Sequence, residues 1–172
     1  MDFKEITQKE SVIYHGRILT LKNDTVLLPN GKTAQREVVC HSGGSCIYCE
    51  RDGKVLLVKQ FRYPYKKNLL ELPAGKLNAN ESPKKTAVRE LEEECGYKAE
   101  QVTLLFKVYP SPGYTDEIIY IYKAEGLKKS KKHPDEDEFV SSRWIEKSRL
   151  KKMVDGGKIK DAKTLIALLK IL

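Results

Sequence analysis

Three glutamates at positions 90, 93 and 94 are the residues whose type and spacing point most directly to chemistry. In a helix, residues three and four apart are neighbours, so Glu90, Glu93 and Glu94 place three carboxylates on one face. Their mutual repulsion is offset only in part by Arg89, which lies four residues before Glu93. Clustered carboxylate oxygens suit a hard divalent cation, so the spacing predicts a Mg2+ site, with a solvated acidic face as the alternative.

A helix from about Pro83 to Glu94 would position these side chains. Ser82 is a favourable N-cap, Pro83 suits the first helical position, and Gly96 suits the C-terminal cap. An apolar stripe lies roughly 120° around the helix from the glutamates and would pack on the core. The residues of the stripe are Ala87, Val88, Leu91 and Cys95.

The helix is part of a longer pattern from Gly75 to Tyr97. Gly75 is followed after five residues by Glu81, and after seven more by the sequence RELEEECGY. This pattern resembles the Nudix box, G-x5-E-x7-R-E-U-x-E-E-x-G-U, where U is a bulky apolar residue. All charged and glycine positions match, and Tyr97 stands where an aliphatic residue is usual. The resemblance implies a Nudix-type α/β/α sandwich around a mixed sheet, within the α/β (α+β) class, and hydrolysis of a nucleoside diphosphate linked to another group.

By position, the resemblance also implies roles for individual residues. Arg89 would orient the glutamates, Glu93 would be both ligand and catalytic residue, and Glu81 would support the loops around the helix. The cofactor would be Mg2+, with Mn2+ as a substitute, because a diphosphate must be neutralised before water approaches phosphorus. The metal ligands would be Glu90, Glu93, Glu94 and the carbonyl of Ala74.

Segments outside the box resemble the ADP-ribose pyrophosphatase branch of the family. Pro112 lies sixteen residues after Gly96 in the sequence SPGYTDE, which is otherwise typical of a turn between strands. The segments 36–39, 60–63 and 155–164 resemble further parts of that branch. The substrate-binding residues implied by the resemblance are Arg36, Glu37, Arg62, Pro112, Gly113 and Glu117. Tyr63 or Tyr65 would stack on adenine, with core packing as the favoured alternative for both rings.

An acidic run at positions 135–138 follows the basic stretch 128–132. It resembles the loop that, in the ADP-ribose branch, closes over the metal and supplies the base that deprotonates water. Glu136 is favoured as this base, and Glu138 would be a supporting metal contact or a second base. A solvated charge run is the alternative.

The leading functional prediction is Mg2+-dependent hydrolysis of ADP-ribose to AMP and ribose 5-phosphate. One alternative is hydrolysis of another nucleoside diphosphate sugar, such as GDP-mannose. A second is a non-catalytic nucleotide- or RNA-binding Nudix module, which the net charge of +8 permits. The intact box argues against that module, so the expected partner is a small nucleotide sugar and no nucleic acid is expected.

The predicted elements place residues 1–40 in a β-rich N-terminal extension and residues 41–172 in the Nudix hydrolase domain. A homodimer through the N-terminal strands is expected, because uncovered strands are otherwise prone to aggregate. Strand 54–61 is apolar on both faces and is predicted to be central. The other predicted elements are strands 12–14, 18–21, 26–28, 35–41, 45–50, 69–72, 102–109, 117–124 and 140–145, a hairpin at 30–31, and helices 146–154 and 161–171.

The 172 residues, 40% hydrophobic and 33% charged, indicate a globular chain. No apolar run is long enough to span a membrane and the N-terminus does not resemble a signal peptide, so a cytoplasmic location is expected. Cys46 and Cys49 form a C-x-x-C pair, but in a strand they would point to opposite faces. Buried reduced thiols are therefore predicted, with a redox or zinc site as the alternative.

Overall fold

The computed structural model describes residues 2–133 and 139–172 of the chain. This part contains strands and helices in a mixed α and β arrangement, with a 3-10 turn at Tyr63–Tyr65. The strands are β1 (Ile6–Lys9), β2 (Val12–His15), β3 (Leu19–Leu27), β4 (Thr33–His41), β5 (Gly44–Arg51), β6 (Lys54–Arg62), β7 (Lys67–Glu71), β8 (Ala74–Lys76), β9 (Tyr97–Lys98), β10 (Gln101–Val108), β11 (Ile119–Glu125), β12 (Lys128–Lys129) and β13 (Val140–Glu146). The helices are α1 (Pro83–Cys95), α2 (Lys147–Asp155) and α3 (Ala162–Ile171).

The chain forms two compact units, and the first comprises Met1–Gly43 and Tyr109–Ile118. Its four-stranded antiparallel sheet places β3 between β4 on one edge and β1 and β2 on the other. The hairpin predicted at Asn30-Gly31 is confirmed, since it joins β3 to β4. The two predicted strands 18–21 and 26–28 are strand in the structure, but the predicted break between them is wrong: they form one continuous β3, whose polar middle residues Asn23 and Asp24 pair with β4.

The second unit comprises Gly44–Val108 and Ile119–Leu172. Its sheet has the order β10-β11-β5-β6-β13, with β7 added to β6 and β8 added to β5. Strands β5 and β11 are parallel and the other pairs are antiparallel, so the sheet is mixed. Strand β6 pairs with three strands, and Val55–Val58 is buried, which confirms its predicted central position.

Alternating residues of β5 and β6 supply two separate apolar cores on opposite faces of this sheet. Cys46 and Leu57 pack with residues of α2 and α3, whereas Cys49 and Leu56 pack with residues of α1. Helices therefore cover both faces, which confirms the predicted α/β/α sandwich.

The four cysteines are free thiols. Cys46 and Cys49 lie on opposite faces of β5, as the strand prediction required, and Cys40 is half-buried. Burial raises the pKa of Cys46 and of Cys95 to about 12 and also raises that of Cys49. These thiols are therefore protonated and unreactive at neutral pH.

Four short strands of the structure were not predicted from the sequence. They are β1, β8, β9 and β12, each of two to four residues. Such short segments carry too few alternating positions to show a period of two.

Candidate active site

Helix α1 begins and ends where its capping residues predict. The Ser82 side chain accepts a hydrogen bond from the backbone N–H of Lys85 at 3.4 Å, and Pro83 follows it as the first helical residue. Gly96 has a left-handed φ of 69°, and its N–H donates to the carbonyl of Glu92 at 2.8 Å. These caps hold the glutamate-bearing turns in one orientation.

The carboxylates of α1 are not a solvated acidic face. Glu90 is 5% exposed and Glu94 is 1% exposed, while Glu93 is half-buried. The backbone N–H of Ala74, in β8, donates to Oε2 of Glu94 at 3.0 Å. The alternative interpretation as a solvated acidic face is therefore wrong for Glu90 and Glu94, whose carboxylates are buried.

Gly75 allows β8 to lie directly against the Glu90 carboxylate. A Cβ atom added at position 75 would overlap both the carboxyl carbon and an oxygen of Glu90. The absence of a side chain at Gly75 therefore lets the Glu90 carboxylate keep its position against the β8 backbone.

Arg89 connects the glutamates of the box to the loop before α1. Its Nε and Nη2 donate to the two carboxylate oxygens of Glu81 at 3.1 and 3.2 Å. Its Nη1 lies 2.6 Å from Oε2 of Glu93 and 2.8 Å from Oε1 of Glu90. Burial alone would lower the pKa of Arg89, but Glu81, Glu90 and Glu93 outweigh it and raise that pKa. The guanidinium therefore stays charged and fixes three carboxylates.

The oxygen atoms around Arg89 belong to carboxylates and to backbone carbonyls. Such oxygens are the ligands that a hard divalent cation prefers. Within residues 2–133 and 139–172, no three Asp, Glu, His or Cys side chains are arranged in a geometry that would hold a metal. Glu90 and Glu93 are paired with Arg89 instead, and Glu94 with the N–H of Ala74. The structure thus brings Glu90 and Glu93 together around Arg89 and holds Glu94 against the backbone of Ala74.

Arg62 lies at the end of β6, and its guanidinium is held by a buried acid. Its Nε and Nη2 donate to the two oxygens of Glu71 at 2.7 Å each. Lys163 Nζ lies 2.6 Å from Glu71 and 2.8 Å from Asp161. Burial alone would raise the pKa of Glu71, but Arg62 and Lys163 lower it to about 2. Burial alone would lower the pKa of Lys163, but Asp161 and Glu71 raise it.

Sequence reasoning missed Glu71, Asp161 and Lys163, whose partners lie up to 92 residues apart in the chain. One signal was available: Glu71 is a charged residue between apolar neighbours, Leu70 and Leu72. A charge in such a place is almost never buried without a partner.

The other predicted substrate residues belong to the first unit. Arg36 is exposed and makes two bonds to Glu5, at 2.6 and 2.8 Å, and Glu37 is exposed beside it on β4. Glu117 is half-buried, with a carboxylate oxygen 3.5 Å from Nδ1 of His41. Pro112 and Gly113 are exposed in the loop before it.

The remaining predictions concern two tyrosines and two glutamates. Tyr63 and Tyr65 are 73% and 70% exposed, so their rings do not pack in the core of this chain and the packing alternative is wrong. Glu136 and Glu138 lie outside the described residues.

A solved structure defines the class of fold. The crystal structure of an ADP compounds hydrolase superposes with a TM-score of 0.86 at 21% sequence identity, covering 96% of this chain and 91% of that chain. The mixed sheet between two helical layers is thus a fold already seen in a solved structure.

The family follows from the sequence. Residues 41–168 match the family described as NUDIX domain, and residues 5–39 match the nucleoside diphosphate sugar hydrolase N-terminal domain. The chain belongs to the Nudix hydrolase family, as the pattern from Gly75 to Tyr97 predicted.

Several curated proteins are similar over most of the chain. A methanol dehydrogenase activator of Bacillus methanolicus is 43% identical over 168 residues, and an ADP-ribose pyrophosphatase of Bacillus subtilis is 41% identical over 168 residues. Both alignments cover 96% of this chain and 91% of the relative. A GDP-mannose pyrophosphatase of Yersinia enterocolitica is 38% identical over 152 residues, covering 81% of this chain and 79% of the relative.

In the described part of the chain, no helix is long and apolar enough to cross a membrane.

Proposed function

We propose that this protein hydrolyses the diphosphate of ADP-ribose to AMP and ribose 5-phosphate in a Mg2+-dependent reaction. The observation that carries the proposal is that α1 bears buried Glu90 and Glu94 together with Glu93, of which Arg89 pairs with Glu90 and Glu93 and the Ala74 N–H binds Glu94. Similarity to the ADP-ribose pyrophosphatase of Bacillus subtilis, at 41% identity over nearly the full chain, supports the choice of substrate.

The cluster gives a physical reason for a metal. Glu90 and Glu94 are buried carboxylates on one helix with Glu93, and carboxylate oxygens are the ligands that a hard divalent cation prefers. Mg2+, or Mn2+ in its place, would be held by Glu90, Glu93, Glu94 and the carbonyl of Ala74. When bound, it would neutralise the diphosphate and lower the pKa of a water.

The chain's own residues would bind and orient the rest of the substrate. Glu71 occupies two donors of Arg62, which leaves the exposed part of this planar guanidinium for a phosphate. The exposed rings of Tyr63 and Tyr65 suit stacking on a base. The other proposed substrate-binding residues are Arg36, Glu37, Pro112, Gly113 and Glu117. Glu136 is proposed as the general base, with Glu138 in support.

The proposal includes a homodimer formed by residues 1–40, with residues 41–172 as the catalytic domain. Strands β1 and β2 are exposed along their whole length. The exposed apolar side chains of this region are Phe3, Ile6, Val12, Ile13, Tyr14 and Ile18. A second copy that covers some of them would remove exposed apolar side chains from water. A cytoplasmic location is also proposed, and cell fractionation tests it.

A substrate panel tests the function most directly. The protein is assayed with ADP-ribose, GDP-mannose and a dinucleoside polyphosphate, with and without Mg2+, and phosphatase is added to release phosphate from the products. We expect ADP-ribose to have the highest kcat/KM and all hydrolysis to need the cation. GDP-mannose ranking first would support the alternative substrate, and no hydrolysis of any compound would support a binding module.

A second candidate function comes from the relative that is named a methanol dehydrogenase activator and is 43% identical to this chain. By this similarity, the protein would stimulate a methanol dehydrogenase. Adding it to a purified dehydrogenase and following alcohol oxidation tests this candidate. The Glu93→Gln variant then distinguishes stimulation that needs hydrolysis from stimulation by contact alone.

A further inference from the structure

A buried threonine joins helix α3 to the strand end that leads into the glutamate cluster. Thr164 is completely buried, and its Oγ1 accepts a hydrogen bond from the backbone N–H of Leu72 at 2.8 Å. The same hydroxyl donates to Oδ2 of Asp161 at 2.5 Å, and Asp161 also caps α3 through the N–H of Thr164 at 3.1 Å. Both hydrogen-bonding roles of the hydroxyl are therefore used.

Charges around this hydroxyl hold it in place. Asp161 Oδ1 accepts from Lys163, which also binds Glu71, and Glu71 is bound by Arg62. Two positive and two negative groups thus form a partnered network. Because Glu71, Lys163 and Asp161 are largely buried and pair with one another, displacing any one of them would leave a buried charge without its partner.

The three residues that follow Glu71 are held from three different elements. The N–H of Leu72 binds Thr164 of α3, and the carbonyl of Pro73 accepts from the N–H of Ile47 of β5 at 3.0 Å. The N–H of Ala74 binds Glu94 of α1 at 3.0 Å. The link between the anchors at Leu72 and Ala74 is a single proline, whose ring fixes φ, so a shift at Leu72 is passed on to Ala74 more readily than through a residue with two free torsions.

We infer that Thr164 is a positioning residue for the cation site: its hydroxyl, held by Asp161, fixes Leu72 and thereby the Ala74 carbonyl and the Glu94 carboxylate. The inference rests on the proposed function, in which both of those groups are ligands. Groups that orient ligands without touching the metal typically contribute about 10–100-fold to metal affinity.

The matched pair Thr164→Val and Thr164→Ser tests this role. Valine keeps the branched shape and removes the hydroxyl, whereas serine keeps the hydroxyl. Binding of Mn2+ alone is measured from the electron paramagnetic resonance signal of the free ion. Because Thr164 acts through Leu72 and not directly on a ligand, we expect the lower end of this range: the valine variant should bind Mn2+ about tenfold more weakly, and the serine variant within about threefold of the wild type. If Thr164→Val does not fold, Thr164→Ala removes the same hydroxyl with less steric demand.

Leu168→Ala is the control, because Leu168 is equally buried on α3 but lies in the apolar core. It should lower thermal stability without weakening Mn2+ binding. Equal weakening in Leu168→Ala and Thr164→Val would overturn the positioning role, and so would unchanged binding in Thr164→Val. If the wild type binds no Mn2+ and hydrolyses no nucleotide sugar, the proposed function itself fails, which is a different result.

Discussion

At the scale of residues, the guanidinium of Arg89 determines how the acidic side chains around it are arranged. Arg89 contacts Glu81, Glu90 and Glu93 within 3.2 Å. Its hydrogen bond to Glu81 is the largest cause of the lowered pKa of that acid. The three acids are therefore fixed relative to one another, which is what a site that works by precise positioning requires.

Replacing a proposed ligand should abolish most turnover and leave the fold intact. Glu93→Gln and Glu94→Gln each keep the size of the side chain but remove one negative charge, so we expect kcat for ADP-ribose to fall at least about 100-fold at saturating Mg2+. Glu92→Gln is the control on the same helix, because Glu92 contacts Ser130 and Lys98 instead. Wild-type rates in both ligand variants would refute the metal assignment.

The identity of the base can be separated from ligand binding by kinetics. A positioned carboxylate that removes a proton contributes about 10²–10⁴-fold, so Glu136→Gln should lower kcat by that factor with little change in KM. Glu138→Gln, measured in the same assay, should have the smaller effect. The opposite order would assign the base to Glu138, and two small effects would indicate a solvated charge run.

At the scale of elements, β8 and α1 act as a pair whose separation is set by Gly75. We expect Gly75→Ala to push the Glu90 carboxylate away, because the added methyl group overlaps it. Activity should fall at least about tenfold, since small misplacements of reacting groups have large effects on rate. Circular dichroism should still report a folded protein. Lys76→Ala, which changes an exposed side chain of the same strand, should keep wild-type activity.

The ion pairs of Glu71, one of which is to Lys163 of α3, should make the free energy of unfolding depend on pH in the acid range. Its pKa is about 2 in the folded chain against an ordinary value of 4.5, so its contribution is complete above pH 4.5 and is lost as pH falls toward 2. That contribution is on the order of 3 kcal/mol. Urea unfolding of the wild type and Glu71→Gln should show a difference in unfolding free energy that narrows from pH 6 to pH 2.5. A constant difference would contradict this assignment.

The elements that the sequence predicted well are those with strong local signals. Helix α1 was predicted to within one residue at its end, because Ser82, Pro83 and Gly96 act through neighbouring backbone groups. The burial of Glu90 and Glu94 could not be predicted in this way, since a helical projection places them away from the apolar stripe. It depends on β8, whose Gly75 lies fifteen residues before Glu90 in the sequence and packs against its carboxylate. The contacts of Glu71 with Arg62 and Lys163 likewise join residues that are not neighbours in the sequence, so no local pattern predicts them.

At the scale of the whole molecule, the N-terminal strands should decide the oligomeric state. We expect light scattering at micromolar concentration to report a dimer of the full chain. Ile13→Lys places a charge on an exposed apolar strand and should shift the protein toward the monomer. Lys9→Gln, on exposed β1, is the control and should leave the dimer intact. A wild-type monomer with full activity would remove the dimer from the proposal.

The parallel pair of β5 and β11 has a consequence for how the protein is made. Ser45 and Tyr120 are partners in this pair although 75 residues separate them. While the nascent chain emerges from the ribosome, β5 is complete long before the strand that covers its edge exists. Such distant pairing is slow, and until it forms the apolar edge is available to other chains. Lowering the temperature of expression should therefore raise the soluble yield of this protein. The gain should be larger than for an enzyme whose strands pair in local hairpins.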